Sequence, residues 1–297
     1  MNLRELEYLV AIEEERHFHR AAERCYVSQP TLSGQLKKLE EELGVLLVER
    51  SNRRVSMTEV GSAVARQARK VLAEAKAVKS IAETFDDPMV GELNVGLIPT
   101  LAPYLLPLIM PVLNRRFGKL NLWLHEHQTA VLLNKLRSGE LDLLMLALPV
   151  ETDEFAEIDL FSETFWLASP KSSENQEKTQ IDLANLQGQE MLLLEEGHCL
   201  RGQALDVCYM AGAREQSGFR ATSLETLRHM VGEGMGMTLM PELSIPKRFR
   251  KDDPISYLPF SNPKPSRRIG LVYGKGSYRE QTYIKLADVI STVIKNR

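Results

Sequence analysis

Two cysteines, Cys199 and Cys208, are the residues of this chain best placed to do chemistry. They lie nine positions apart, with His198 before the first and Arg201 shortly after it. A cysteine attacks electrophiles as its thiolate, and a nearby cation or the positive end of a helix favours that form over the thiol. The sequence therefore predicts a reactive thiolate at Cys199 and a pair of thiols suited to reversible oxidation.

The segment between the two cysteines predicts an obstacle to disulfide formation. Its apolar residues repeat at helical spacing from Leu200 to Val207, and Gly212 is placed to end the helix. A helix over residues 199–208 would hold the two Cα atoms about 13 Å apart. A disulfide requires less than about 7 Å. The bond can therefore form only if the helix unwinds, which would make oxidation a conformational event.

Composition predicts a soluble protein of a reducing compartment. The 297 residues are 43% hydrophobic and 26% charged, which is ordinary for a globular protein of two or three domains. Three of the first seven residues are charged, and no run approaches the roughly 20 apolar residues that span a bilayer. Three cysteines are too few for a secreted disulfide scaffold. We expect a cytoplasmic protein, without membrane segments, in which any disulfide is transient.

Residues 1–58 have the pattern of a winged helix-turn-helix. Apolar spacing predicts two helices and then a third, which Ser28 would cap. The leucines of the third helix face inward and leave small polar side chains to meet base edges in a major groove. The candidate DNA-binding residues of this helix are Gln29, Pro30, Thr31, Ser33, Gln35 and Lys38.

A strand–turn–strand wing is predicted after the third helix, with strands at 46–50 and 55–58. Arg50, Arg53 and Arg54 lie at its tip, where cations suit backbone phosphates. Bulk charge gives no support, because residues 1–60 carry nine Lys and Arg against eleven Asp and Glu, and the net charge is −3. The prediction of DNA binding therefore rests on the motif and on local placement.

Residues 59–88 predict a linker helix that pairs with a copy of itself. From Thr58 to Phe85 there is no proline, and Gly61 is the only glycine. Two series with a seven-residue period interleave as the seam of a coiled coil, where alanines allow close approach. A helix that packs only on its own chain is the alternative. The seam residues are Val64, Ala68, Val71, Ala75, Val78 and Ala82.

From residue 89 onward, short strands alternate with helices. Such alternation indicates an α/β domain with parallel sheets. The predicted strands are 93–97, 120–124, 143–148, 191–194, 237–240 and 269–273, and the predicted helices are 103–115, 129–138, 222–232 and 279–296.

The chain resembles the LysR-type transcriptional regulators. In the first 61 residues the similarity is carried by AAE at 21–23, SQPTLS at 28–33, LEEELG at 39–44 and TEVG at 58–61. In the second half the chain is most similar to the peroxide-sensing members of that family. The motifs that carry this similarity are GLIPT at 96–100, PYLLP at 103–107, QT at 128–129, GHCLR at 197–201 and FRATSLETLR at 219–228.

The resemblance implies a fold. An N-terminal all-α winged helix-turn-helix (1–58) would be followed by a long coiled-coil linker helix (59–88) and an α/β sensing domain (89–297). That domain would have two lobes like those of a periplasmic binding protein. Lobe I would comprise 89–161 and 267–297, and lobe II would comprise 162–266.

The resemblance also implies roles for individual residues. Cys199 would be the peroxide-reactive thiol and Cys208 the thiol that resolves it. Around the peroxide it implies a pocket of Thr100, Thr129 and His198, with Arg228 as an electrostatic partner. Threonine hydroxyls both donate and accept hydrogen bonds, which suits them to orient hydrogen peroxide for attack.

Finally, the resemblance implies an activator of oxidative-stress genes, associated with the nucleoid when it binds DNA. Its partners would be promoter DNA, hydrogen peroxide, a second copy in a homodimer and homotetramer, RNA polymerase, and a thiol reductant such as glutaredoxin. No cofactor and no metal is expected, since zinc on His198, Cys199 and Cys208 would lack a fourth ligand at typical spacing. Two alternatives are an inducer-binding regulator with inert cysteines and a thiol peroxidase. The DNA-binding module argues against the enzyme, and the cysteine spacing argues against inert thiols.

Overall fold

The computed structural model describes residues 1–51, 54–85, 87–171, 179–248 and 253–297. Contacts divide the chain into two compact units. The first comprises Met1–Asp87 with Arg137–Glu140, and the second comprises Pro88–Leu136 with Leu141–Arg297. Among the described helices, none is both long and apolar enough to cross a membrane.

The first unit opens with three helices, α1 (Leu3–Glu15), α2 (Phe18–Arg24) and α3 (Gln29–Leu43). The predicted cap of the third helix is present, because Ser28 Oγ accepts a hydrogen bond from the amide of Thr31. The helices enclose a small core in which Leu9, Ile12, Leu32, Leu36 and Leu39 are fully buried. Leu32, Leu36 and Leu39 of α3 thus face inward, as the spacing predicts. The same expectation is wrong for Leu43, the last residue of the helix, which is 39% exposed because the chain turns away there at Gly44.

Two strands, β1 (Val48–Ser51) and β2 (Arg54–Met57), pair antiparallel after α3. They form the predicted wing, and its connection is shorter than expected because Ser51 already pairs with Arg54. Arg50 lies on β1 and Arg54 on β2, whereas Arg53 lies outside the described residues.

The linker is a single helix, α4 (Glu59–Thr84), which Thr58 caps by accepting from the amide of Gly61. The exposure of its seam rises along the helix within the single chain: Ala68 is 2% exposed, Val71 is 38% exposed and Val78 is 70% exposed. The start of α4 therefore packs within its own unit, whereas Val71 and Val78 are exposed in the single chain and Ala75 is half-buried.

The second unit contains a seven-stranded sheet. Its strands are β3 (Gly91–Leu97), β4 (Leu120–Glu126), β5 (Leu143–Leu148), β6 (Phe155–Pro170), β9 (Thr238–Pro241), β10 (Ile255–Pro259) and β11 (Ser266–Gly274). Their order in the sheet is β10-β6-β11-β5-β3-β4, with β9 also pairing with β6. The remaining strands, β7 (Glu190–Leu194) and β8 (Arg214–Ala221), form a separate parallel pair.

The prediction of parallel sheets is wrong for much of this sheet. Only β3 pairs in parallel, with β4 and β5, whereas β11 is antiparallel to both β5 and β6, and β9 and β10 are antiparallel to β6. The physical reason is the path of the chain. β6 carries the chain from one hydrophobic core into another, and β11 carries it back. Two neighbouring strands that run between the same two cores in opposite directions pair antiparallel.

Two hydrophobic cores form within this unit. The first gathers residues of β3, β5, α5 (Ala102–Arg116), α6 (Thr129–Arg137) and α9 (Glu280–Lys295). The second gathers residues of β7, α7 (Cys199–Ala211) and α8 (Leu224–Gly232). β6 serves both, since Leu160 packs in the first core and Phe165 in the second. Leu243, from the range expected for lobe II, packs in the first core.

Candidate functional site

Three of the predicted site residues lie where a strand turns into a helix. Thr100 follows β3, Thr129 follows β4 as the first residue of α6, and Cys199 follows β7 as the first residue of α7. β3 and β4 are parallel neighbours, so the turns after them leave the sheet at the same edge. The amide of His127 donates to the carbonyl of Leu97 at 3.2 Å and joins these two turns.

A glycine brings the loop before α7 against the start of α6. Gly197 has φ +96°, in the left-handed region that favours glycine. A Cβ at this position would lie 2.4 Å from Oε1 of Gln128. Cys199, two residues further on, packs against the first core although its helix belongs to the second. The loop that precedes Cys199 therefore meets the turn that precedes Thr129.

Two buried polar atoms of this region have no hydrogen-bond partner in the described part of the chain. They are Oγ1 of Thr129 and Nε2 of His125, a residue of β4. Buried polar atoms are normally hydrogen-bonded, and a hydroxyl can both donate and accept. This edge of the sheet thus offers groups suited to a small molecule that itself donates and accepts.

Thr100 is held by a buried ion pair that sequence reasoning missed. Arg267 donates from Nη1 to Thr100 Oγ1 at 3.0 Å and from Nη2 to the Thr100 carbonyl at 3.1 Å. Its Nε donates to Oε2 of Glu163 at 2.8 Å, and Oε1 of Glu163 accepts from the amide of Leu243. The side chains of Arg267 and Glu163 are 0% and 2% exposed. Because Thr100 Oγ1 accepts from a cation, its own proton remains available to another acceptor.

Cys208 sits in a different environment from Cys199. It is 2% exposed within the second core, and burial raises the pKa of its thiol to about 11. The helix between the two thiols is present as predicted, and both cysteines are free. His198 is buried beside Cys199, with Nε2 4.0 Å from Oε1 of Glu195. At neutral pH Cys208 is therefore a protonated thiol, held away from Cys199 by the length of α7.

The expectation that Arg201 favours a thiolate at Cys199 is wrong in its physical basis. Both terminal nitrogens of Arg201 donate to the carboxylate of Glu215 at 2.8 Å, and Nη1 also reaches the carbonyl of Leu194 at 3.1 Å. The hydrogen bonds to Arg201 lower the pKa of Glu215. The charge of Arg201 is thus neutralised by Glu215 of β8 rather than left free for Cys199.

Arg228 lies in a network that joins the two cores. Its side chain is 13% exposed and lies 3.1 Å from Glu225, and Nη1 donates to the hydroxyl of Tyr257 at 2.8 Å. Tyr104, on α5, donates to the same Glu225 at 2.6 Å. Burial and the neighbouring Glu225 raise the pKa of Tyr104. Nη2 of Arg228 donates to the carbonyl of Ser244, so Arg228 is not a plain surface charge: its described partners are Glu225, Tyr257 and Ser244.

The candidate DNA-binding residues of α3 divide by exposure. Gln29, Pro30 and Thr31 are exposed at its start, and Ser33 and Gln35 are half-buried. Oγ1 of Thr31 lies 2.8 Å from the hydroxyl of its cap Ser28, so this side chain also fixes the helix start. Lys38 is exposed, but its Nζ lies 3.3 Å from Oε1 of the buried Glu5. The start of α3 thus offers the freest polar surface of the helix.

Comparison with known proteins matches both halves of the chain to one family. Residues 3–62 match the bacterial regulatory helix-turn-helix protein of the lysR family, and residues 86–293 match the LysR substrate binding domain. An Escherichia coli protein named DNA-binding transcriptional dual regulator OxyR is 51% identical over 290 residues, covering 98% of this chain and 95% of the relative.

Solved structures give the same result. The full-length OxyR C199D variant from Pseudomonas aeruginosa superposes with a TM-score of 0.78 at 39% identity, over 98% of both chains. A hydrogen peroxide-bound OxyR mutant from Corynebacterium glutamicum superposes with a TM-score of 0.69 at 33% identity, over 99% of this chain and 93% of that one.

The buried pair of Arg267 and Glu163 predicts a large loss of stability when it is broken. Glu163→Gln leaves the Arg267 charge buried without a counter-charge and should lower the free energy of unfolding of the second unit by about 3–5 kcal/mol. Both tryptophans, Trp123 and Trp166, lie on strands of this unit, so urea unfolding followed by their fluorescence reports on it.

A matched control lies on the same two strands. Arg268 pairs with Asp159 through side chains that are 52% and 62% exposed, so Asp159→Asn should leave the urea midpoint nearly unchanged. Equal shifts in the two variants would show that burial of the Arg267 pair is not what matters.

The raised pKa of Cys208 predicts slow alkylation below strongly alkaline pH. In a Cys199→Ser protein, iodoacetamide should modify Cys208 slowly at pH 8 and faster as the pH approaches 11, because only the thiolate reacts. Residue-specific rates come from peptide mass spectrometry. The same protein unfolded in urea is the control, and its alkylation should reach half of its maximal rate at about pH 8.5. A plateau below pH 9 in the folded protein would contradict the burial argument.

Proposed function

The chain belongs to the LysR family of bacterial transcriptional regulators, and we propose that it is a hydrogen peroxide sensor of the OxyR type. It binds promoter DNA through its winged helix-turn-helix and switches conformation through a reversible disulfide between Cys199 and Cys208. The observation that carries this function is the placement of the two thiols. Cys199 lies at the start of α7 against the first core, and Cys208 lies nine residues on within the second.

The chemistry starts at the Cys199 thiolate. Its sulfur attacks one oxygen of hydrogen peroxide, an S–O bond forms, the O–O bond breaks, and the departing hydroxide takes a proton to become water. Thr100, held by Arg267, and Thr129, whose hydroxyl has no described protein partner, orient the peroxide, and His198 closes the pocket. The product is a sulfenic acid on Cys199.

Resolution by Cys208 converts that chemistry into a conformational change. The Cys208 thiol attacks the sulfenic sulfur, a disulfide forms, and water leaves. The Cα atoms must approach from about 13 Å to less than about 7 Å, so α7 unwinds and Cys208 leaves the second core. A cellular thiol reductant such as glutaredoxin restores both thiols.

The switch acts on DNA through the assembly of the chain. The exposed seam of α4 forms a coiled coil in a homodimer, and the two-lobed domains, similar to periplasmic binding proteins, pair the dimers into a tetramer. Bases are contacted from the start of α3, and the wing arginines contact phosphates. Repacking of the oxidised lobes resets the spacing of the DNA-binding units and allows contact with RNA polymerase. The protein acts in the cytoplasm, on the nucleoid, as an activator of oxidative-stress genes.

The peroxide mechanism predicts different outcomes for the two cysteines. After a brief pulse of hydrogen peroxide, the wild type should contain a Cys199–Cys208 disulfide by peptide mass spectrometry and show a changed footprint on operator DNA. Dithiothreitol should reverse both changes. Cys199→Ser should abolish the response, because no thiolate remains to attack peroxide.

Cys208→Ser should instead accumulate sulfenic acid at Cys199, since no internal thiol traps it. Cys25→Ser is the matched control and should switch normally, because Cys25 lies in the first unit. A footprint that still changes with peroxide in Cys199→Ser would refute the sensor and favour an inducer bound between the lobes.

The exposed seam predicts which substitutions disrupt the dimer. Val71→Glu would bury a charge in both copies and should convert the dimer to monomer, or weaken operator binding at least tenfold. The neighbouring Lys70 is exposed and off the seam, so Lys70→Glu is the matched control and should leave the mass unchanged. Light scattering at several concentrations measures the mass, and an unchanged mass for Val71→Glu would place this surface elsewhere.

A further inference from the structure

An exposed tyrosine stands immediately before the DNA-reading helix in a backbone conformation that disfavours it. Tyr26, in the turn between α2 and α3, has φ +55°, and its side chain is 94% exposed. In the described part of the chain, only Tyr26 and Arg16 combine a side chain with a positive φ, and glycine occupies every other such position. A left-handed backbone costs a bulky residue free energy that it does not cost glycine.

The hydrogen bonds of the turn explain the backbone and leave the side chain unexplained. The amide of Tyr26 donates to the carbonyl of Glu23, and the amide of Val27 donates to the carbonyl of Ala22, both at 3.0 Å. This pair of bonds is the Schellman ending of a helix, whose left-handed position is usually glycine. Val27 packs on the core, as the motif requires. Glycine would therefore serve the fold better than tyrosine at position 26.

Packing does not offset that cost either. A side chain that is 94% exposed buries almost no apolar surface, and no described hydrogen bond is made by its hydroxyl. Residues that the surrounding structure holds in strained conformations cluster at functional sites. The functional surface next to Tyr26 is the start of α3, where Ser28, Gln29 and Pro30 are exposed, uncharged, and two to four residues away.

We infer that Tyr26 is a DNA contact residue that donates its hydroxyl to a backbone phosphate beside α3. The inference rests on the proposed DNA-binding function and adds a contact to it. A neutral phenol at the rim of the groove suits a phosphate oxygen, because tyrosine is among the side chains that position proteins on the backbone. Such a contact holds α3 in the groove without reading sequence. It also accounts for a tyrosine where the fold alone favours glycine.

The test compares Tyr26→Gly and Tyr26→Phe in the reduced, full-length protein. The probes are a duplex that the wild type selects from a random-sequence library and a scrambled duplex of equal length. Fluorescence anisotropy should show both variants binding about tenfold more weakly, by the same factor on both duplexes, since a phosphate contact carries no sequence information. Hydrogen exchange of the α2 amides should be slower in Tyr26→Gly, because glycine relieves the strained turn.

Salt dependence separates this contact from the charged ones. The slope of log affinity against log salt should be unchanged in both Tyr26 variants, because a neutral phenol releases no counterion. Arg50→Ala on the wing is the comparison and should flatten that slope.

Three results would overturn the inference. Wild-type affinity in Tyr26→Gly would show that the Tyr26 side chain makes no contact that contributes to DNA binding. Wild-type affinity in Tyr26→Phe would show that the hydroxyl makes no hydrogen bond to DNA. Faster hydrogen exchange in Tyr26→Gly would show that the ring stabilises the fold and that weaker binding is indirect. If the wild type selects no duplex at all, the proposed function fails with it, whereas tight wild-type binding with unaffected variants refutes only the role of Tyr26.

Discussion

The length of helix α7 constrains everything else in the sensing half. It holds Cys199 and Cys208 at positions about 13 Å apart and places them against different hydrophobic cores. The intact helix therefore opposes a disulfide between them, since neither thiol reaches the other without local unfolding. The stability of a disulfide between them must offset the lost burial of Cys208 and the lost hydrogen bonds of the helix. The chemical signal and the conformational signal are thus one event.

The buried pair of Arg267 and Glu163 supports that event from the other side. The two residues lie on β11 and β6, the strands that cross between the cores, and Arg267 also fixes Thr100. The orientation of the Thr100 side chain therefore depends on the relative placement of the crossing strands. Tyr104, Glu225 and Arg228 make a second bridge, between α5 and α8. Movement of one core relative to the other would disturb both the Arg267–Glu163 pair and this second bridge.

In the first unit, two residues that we propose for DNA binding also serve the fold. Thr31 is exposed and completes the cap of its helix, while Lys38 is partly committed to the buried Glu5. Tyr26 is the opposite case, because the amides of Tyr26 and Val27 are hydrogen-bonded to α2 while the Tyr26 side chain is almost wholly exposed. Val71 and Val78 of the α4 seam are likewise exposed in the single chain.

Local pattern was enough to predict the helices of the first unit and the α7 helix, because apolar period, caps and spacing are properties of nearby residues. Tertiary structure decided what depends on distant ones. The antiparallel crossing follows from chain path rather than strand composition. Arg201 faces Glu215 instead of Cys199, and Arg267 reaches Thr100 across 167 positions of sequence. No local pattern encodes such pairings, because burial of a charge selects its partner only after the sheet has brought the strands together.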